Sequence, residues 1–321
     1  RGMHQFVLLG QEGDVRDALA RALGTSSANQ FRILNEIGGD CAGAVEIVPE
    51  TVAPLIDRDP DLLSPEALDE VIASLPQRPL GADPEHGIRM SLAGAQSKLP
   101  VIVDADAFAL PKSSGAPTTH LIKPEPDRFE DLVANEFFCM TLAHACGLDV
   151  AETDARETVG GQRFLLVRRY DRVIHDDGTR ARLHQEDFCQ ALLIRSENKY
   201  QQDGGPSLRQ LSDLIRRESR SPAADVFKLW DAAVFNWAIG NCDAHAKNFS
   251  LLYDGRAPRL APLYDLVSTM IYPELSRRWA MTLGGARSYE DVSAATWEAL
   301  AGEMSIGPRA AIERARQLLM E

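Results

Sequence analysis

The sequence predicts an α+β fold of two lobes, a strand-containing N-terminal lobe followed by a mainly α-helical C-terminal lobe. Three observations predict it. Short apolar runs bounded by Pro, Gly or small residues recur from Ile88 to Val167, the pattern of strands. From Gln185 onward, apolar residues recur at i, i+3 and i+4, the spacing of helices with one buried face. A polar run, Gly240 to Asn248, then interrupts the helical half, and Asp265 follows it across a hairpin signal.

Taken in order, Asp14 to Leu23 reads as a helix with Asp14 as N-cap and Gly24 as its stop. Phe31 to Ile37 reads as a second short helix, and Ala44 to Val48 as a strand. Ser64-Pro65-Glu66 opens a helix that runs to about Leu75, with Ser as cap and Pro at the first helical position. Pro76 to Gly87 is a Pro- and Gly-rich loop and a segment boundary.

Ile88–Met90, Leu99–Val103, Thr118–Lys123 and Arg163–Val167 are predicted strands. A helix from about Phe129 to Cys146 lies among them, with Gly147 beyond its end. Helices are expected at Gln185–Leu193, Ser207–Ser219 and Asp225–Ile239. Asp254-Gly255 between Phe249–Tyr253 and Arg259–Ala261 is a hairpin signal. Helices near 290–302 and 308–320 close the chain. The boundaries fall at 1–85, 86–172 and 173–321.

The chain of 321 residues, with 45% hydrophobic and 25% charged, is long enough for two lobes and a sizeable core. Its net charge of −13 argues against a protein that coats DNA or membrane by itself. The cysteines Cys41, Cys139, Cys146, Cys189 and Cys242 are scattered and form no CxxC pair, so reduced thiols in the cytoplasm are expected. Cys242 has no identifiable partner base and is not read as a nucleophile. No apolar run reaches about 18 residues, and no charged-then-apolar leader is visible, so no membrane span or secretion signal is expected. Arg1-Gly2-Met3-His4 is not an ordinary start, which fits a fragment, a tag or further residues upstream.

The polar run carries the chemistry. Asp243 is followed five residues later by Asn248, and Asp265 comes after one hairpin. Protein kinases use this arrangement: one Asp accepts the proton of the attacking hydroxyl, while an Asn and a later Asp hold Mg²⁺ on the phosphates of ATP. Mg²⁺ prefers hard oxygen ligands, and one Asp with one Asn amide oxygen supplies them. Asp243, Asn248 and Asp265 could each cap a turn or helix alone. Together, behind a buried helix and across a hairpin, they point to catalysis. Lys247 lies close enough in sequence to neutralise a transferring phosphoryl group. His245 is expected to pack within this loop rather than act as base.

In the strand block, Lys123 ends an apolar strand and can reach phosphates, with Glu136 on the next helix to orient it. Ala93, Gly94 and Ala95, continuing through Gln96 and Ser97 to Lys98, form a small-residue turn whose amides could approach phosphates. That turn fits neither GxxxxGK[ST] nor GxGxxG. Arg168, Arg169 and Tyr170, where the strand block meets the helical block, are either an adenine-contacting segment or a simple linker.

These blocks, in this order, resemble the HipA family of bacterial toxin kinases. The resemblance runs through Ser91-Leu92-Ala93-Gly94-Ala95-Gln96, Thr118-Thr119-His120-Leu121-Ile122-Lys123, Asn135-Glu136-Phe137-Phe138-Cys139 and Arg169-Tyr170-Asp171-Arg172. It continues through Gln185-Glu186-Asp187-Phe188-Cys189-Gln190, Lys199-Tyr200, Asp203-Gly204-Gly205-Pro206, Asp243 to Ser250, and Tyr264-Asp265, covering about residues 30 to 270. It implies a protein-kinase-like fold and ATP- and Mg²⁺-dependent Ser/Thr phosphorylation.

By the family pattern, Asp243 is the base, Asn248 and Asp265 hold metal, and Lys123 with the Ala93–Lys98 turn binds phosphates. Arg168 to Tyr170 line the adenine, His245 and Tyr264 fall among the nucleotide-site residues, and Ser91 is the autophosphorylated serine that switches the enzyme off. A phosphate there would add nearly two negative charges beside the phosphate-binding turn. The implied partners are a small HipB-like helix-turn-helix antitoxin, DNA only through that antitoxin, and a protein substrate such as an aminoacyl-tRNA synthetase. The segments become a partial N-terminal HipA subdomain (1–85), a kinase N-lobe (86–172) and a kinase C-lobe (173–321). Family members begin with a longer N-terminal subdomain, expected here to be mostly absent, and they commonly carry an acid where Arg168 stands. Two other readings share the scaffold: a small-molecule phosphotransferase, and a nucleotide-binding pseudokinase that acts as corepressor with its antitoxin.

Overall fold

The computed structural model describes residues 17, 20, 21, 23–29, 31–33, 39–47, 60–75, 90, 91, 97–111 and 117–320. They fall into two compact units, Arg1–Ala134 with Glu152–Gln185, and Asn135–Ala151 with Glu186–Glu321.

The first unit is built on a six-stranded antiparallel sheet. Its spatial order is Asp61–Leu62, Ala107–Leu110, Leu99–Asp104, His120–Pro124, Arg163–Arg168 and Thr153–Glu157. Helix Pro65–Ser74 covers one face: Leu68, Ile72 and Leu75 pack on Leu99, Val101, Phe108, Ile122, Phe164 and Leu166. Burying each such side chain is worth about 1.5–3 kcal/mol. The helix starts as predicted, with Pro65 in its first turn and Ser64 Oγ accepting from the Ala67 amide at 3.1 Å.

The second unit is mainly helical. Helices Leu208–Glu218 and Pro222–Ala238 bury Leu211, Leu214, Ile215, Leu229 and Trp230. Helices Ala294–Glu303 and Pro308–Met320 follow, and Arg314 forks onto Asp231 with two 2.6 Å bonds. The hairpin signal at Asp254-Gly255 holds: Ser250–Tyr253 pairs antiparallel with Arg259–Leu260.

Several expectations are corrected. Residues Gln185–Leu193 do not form one helix. His184–Asp187 is a strand, and only Phe188–Ala191 is helical. Asp187 and Gln190 make a reciprocal capping box that starts the helix there (2.8 and 2.9 Å). Ala44–Ile47 is not a strand; the pairing lies at Asp40–Cys41, parallel to Met90–Ser91. The helix expected from Phe129 begins at Leu132, where Glu125 Oε1 accepts from the Leu132 amide at 2.6 Å. Strands Thr153–Glu157, Arg172–Ile174 with Arg180–Arg182, and Arg278–Leu283 with Ala286–Ser288 were not anticipated. Of the helix expected at 14–23, residues 17, 20 and 21 are helical, as are 31–33 of the next. Leu23 is in a turn, not helical; the other positions of those two helices lie outside the described residues, as does the loop 76–87.

None of the five cysteines is in a disulfide. Among the described residues no helix is long and apolar enough to cross a membrane.

Candidate active site

The second unit brings Asp243, His245, Lys247, Asn248, Tyr264 and Asp265 together. Helix Pro222–Ala238 delivers the loop, and Gly240 ends the approach with φ +69°. A Cβ on Gly240 would stand 2.9 Å from Met270, so both conformation and space select glycine there.

Backbone and side-chain bonds then fix the loop. Asn236, at the helix end, receives the Asn241 amide at 2.7 Å, and Asn241 Oδ1 accepts from the Asp243 N–H at 3.2 Å. Thr269 Oγ1 accepts from the Cys242 N–H (2.9 Å) and donates to Gly240 O (3.0 Å). Within the loop, the His245 N–H donates to Asp243 O and the Asn248 N–H to His245 O, at 2.7 and 2.9 Å. Asp243 itself is exposed, as a base for an incoming hydroxyl must be.

Asn248 Nδ2 stands 3.5 Å from Asp265 Oδ2. Asn248 Oδ1 is buried and has no hydrogen-bond partner. An orphaned buried acceptor is costly unless something positive completes it. Two hard oxygens of this kind fit Mg²⁺. Asp265 holds a left-handed backbone, φ +54°, a strained state for a non-glycine residue. The chain beyond it is clamped: Asn135 Oδ1 accepts from the Ser268 N–H, and Asn135 Nδ2 donates to Ser268 O, both at 2.9 Å.

Lys247 is buried, with Nζ 3.1 Å from Asp187 Oδ2 and 3.2 Å from Ser196 Oγ. Its charge thus braces the loop against the capping residue of Phe188–Ala191. Tyr264 also acts as a brace, its hydroxyl meeting Lys247 O and Ser250 Oγ at 2.7 Å. His245 is buried, and its Nδ1 has no partner. Burial, then the Lys199 and Lys247 charges, pushes its pKa down to about 3, so the ring is neutral at ordinary pH. Burial raises the Cys242 thiol pKa, which disfavours the thiolate a nucleophile needs. Sequence reasoning marked Lys199-Tyr200 as part of the family resemblance but gave Tyr200 no role; its hydroxyl donates to Asp243 Oδ1 at 2.7 Å. No local signal could have paired it with Asp243, since the two are 43 residues apart.

The first unit carries the other sequence-predicted residues except Glu136. Lys123 is buried on its strand, level with Leu165 of the neighbouring strand, and Lys98 is buried beside Leu99. Ser97 is half-buried. Glu136 is buried in the second unit. Ser91 pairs through its backbone with Cys41, while Ala93, Gly94, Ala95 and Gln96 lie outside the described residues.

The amides of Arg168 and Arg169 donate to Glu152 O and Thr119 O, both at 2.9 Å, so they are already spent inside the unit. The Arg168 side chain pairs with Glu152 at 2.9 Å, and the Tyr170 hydroxyl donates to Gln185 Oε1. The Arg169 guanidinium is buried among Asp40 (3.0 Å), Asp171 (3.1 Å) and Cys41 O (2.9 Å). Arg172 joins it, 2.7 Å from Asp40. This ionic cluster ties the segment around Asp40 to the exit of the strand Arg163–Arg168.

Comparison with known proteins fits this geometry. A family model described as the HipA-like C-terminal domain matches residues 90–321. The chain belongs to the HipA kinase family. A second model, the HipA N-terminal domain, matches residues 3–48, so that domain is represented at the start of the chain. The serine/threonine-protein kinase toxin HipA of Shewanella oneidensis is 32% identical over 285 residues, 83% of this chain and 63% of that protein. Y4mE of Sinorhizobium fredii is 47% identical over 301 residues, 92% of this chain and 71% of that protein. The solved complex of Shewanella oneidensis HipA with HipB and its operator DNA contains a chain that aligns with a TM-score of 0.85 at 28% identity, covering 99% of this chain and 76% of that one.

Proposed function

We propose that this chain is an ATP- and Mg²⁺-dependent serine/threonine protein kinase, the growth-arresting toxin of a toxin–antitoxin pair. One observation carries the reading: an exposed Asp243 shares a braced loop with Asn248, whose Nδ2 stands 3.5 Å from Asp265 Oδ2 and whose Oδ1 is buried without a partner. Family membership and the kinase name of the Shewanella relative support it.

The chemistry is phosphoryl transfer. The Ser or Thr oxygen of the substrate forms a bond to the γ-phosphorus of ATP. The bond from that phosphorus to the β,γ-bridging oxygen breaks, and ADP leaves. The hydroxyl proton passes to the Asp243 carboxylate. Asn248 and Asp265 would hold Mg²⁺, which would supply positive charge to the phosphate oxygens. Lys123 and the Ala93–Lys98 turn bind phosphates, and Arg168 to Tyr170 line the adenine. His245, neutral and buried, and Tyr264 shape the loop. Lys247 keeps it in register and adds positive potential.

Residues 1–85 are a partial HipA N-terminal subdomain, 86–172 the kinase N-lobe and 173–321 the C-lobe. The protein works in the cytoplasm. Ser91 is autophosphorylated and so inactivates the enzyme. A HipB-like helix-turn-helix antitoxin neutralises it and brings it to DNA, as the assembly of the Shewanella relative suggests. The target is a protein, with aminoacyl-tRNA synthetases the first candidates.

Incubating the chain with γ-labelled ATP, Mg²⁺ and purified aminoacyl-tRNA synthetases tests this. The reading expects label on one synthetase with the wild type and none with Asp243→Asn. Label appearing only on small molecules would make the chain a metabolite kinase instead.

A further inference from the structure

The base has a neighbour that the chemistry above leaves unused. Tyr200 Oη donates to Asp243 Oδ1 at 2.7 Å. The tyrosine ring stands edge-on to His245, with centroids 5.4 Å apart, and Lys199 Nζ lies 5.4 Å from the ring centre.

The turn that carries Tyr200 is braced from several sides. Tyr200 O accepts from the Asp203 and Gly205 amides at 3.0 and 2.9 Å. Gln201 Oε1 accepts from Thr282 N at 2.8 Å and from Thr282 Oγ1 at 3.1 Å, pinning the turn to the strand Arg278–Leu283. Gly205 lies so close that a Cβ on it would stand 2.6 Å from Tyr200 O. The phenol is therefore presented by a fixed backbone.

The backbone of Asp243 is fixed as well, by Asn241 Oδ1 on its N–H and by the His245 N–H on its carbonyl. What freedom an exposed aspartate keeps lies in its side-chain torsions. A directed donor on one oxygen limits them, and an ionised carboxylate has roughly four acceptor sites, enough for a substrate hydroxyl besides the phenol.

The geometry points to Tyr200 as a positioning residue for the Asp243 base. Its hydroxyl holds Oδ1 and so orients the second oxygen toward the incoming Ser or Thr hydroxyl. The braced turn argues against the other role open to such a phenol, an obstacle that swings away when substrate arrives. This inference rests on the assignment of Asp243 as base.

The test compares wild type, Tyr200→Phe, Tyr200→Leu and Asp243→Asn in the full chain. It measures the rate of phosphate incorporation from γ-labelled ATP, the KM for ATP and the Tm. Tyr200→Phe keeps the ring and loses only the hydroxyl. Its kcat should fall roughly 10- to 100-fold, the scale of one hydrogen bond to a charged group, while KM for ATP and Tm stay put. Tyr200→Leu should be at least as slow, and Asp243→Asn inactive. A Tyr200→Phe enzyme at the wild-type rate, with only Tyr200→Leu impaired, would reduce the residue to packing and overturn the inference. A faster Tyr200→Phe enzyme would overturn it too, by showing the phenol to be an obstacle. Wild-type activity in Asp243→Asn would instead sink the base assignment, whatever Tyr200→Phe does.

Discussion

Asn248 turns its amide nitrogen to the Asp265 carboxylate at 3.5 Å and leaves its own oxygen buried without a partner. A folded core seldom leaves an acceptor in that condition, because an unmet buried polar group costs about 1–3 kcal/mol. The pair has the composition of a hard-cation site. Asn248→Ala and Asp265→Ala should each abolish the Mg²⁺-dependent part of ATP binding. Titration calorimetry with and without EDTA reads this directly: only the wild type should bind more tightly with the metal.

The left-handed backbone of Asp265 separates stability from function. Asp265→Gly and Asp265→Ala both lose the carboxylate, but only glycine adopts φ +54° without strain. The glycine variant should be more stable than the alanine variant by about 1–2 kcal/mol, and both should be inactive. Urea unfolding of the two variants measures the gap.

Lys247 and Asp187 form a buried pair whose side chains are 5% and 10% exposed. Removing one partner leaves the other charge buried, at a cost of roughly 3–5 kcal/mol. Lys247→Met should therefore lower Tm clearly, besides slowing transfer. Activity lost at an unchanged Tm would move Lys247 from brace to direct phosphate contact.

Two acidic windows should appear in stability against pH. Burial raises the Asp171 carboxyl, but Arg169 and Arg172 outweigh it and hold its pKa at about 2. A depressed carboxyl gives stability that is present above the unfolded value, about 4, and is lost as pH falls toward 2. His245, pushed down to about 3, is protonated more readily when unfolded, so stability falls between about pH 6.5 and 3. Denaturation across pH 2–8 should show both slopes. His245→Phe should flatten the upper one and leave the lower.

Much of this was legible in the sequence because the signals were local. The Ser64-Pro65 start, the Asp254-Gly255 hairpin and the spacing of Asp243, Asn248 and Asp265 each lie within one short stretch. The missed strands had no such signal. Thr153–Glu157 reads Thr-Asp-Ala-Arg-Glu, an edge strand whose charges hide the alternation. Arg172–Ile174 and Arg180–Arg182 are three residues each, too short for a period to show. The helix start at Asp187 was readable, since Asp187 and Gln190 stand at capping-box spacing, but the apolar period drew the expected helix too far upstream. The Asn135 clamp on Ser268 and the Tyr200 bond to Asp243 join residues far apart in sequence, and only the fold brings them together.

The most direct test of the central claim is intact mass with peptide mapping after incubation with Mg²⁺ and ATP, wild type beside Asp243→Asn. An Asp243-based kinase that switches itself off should gain one phosphate at Ser91, and the variant none. Equal phosphate gain in both proteins would contradict the account, because the proton would then be leaving by another route.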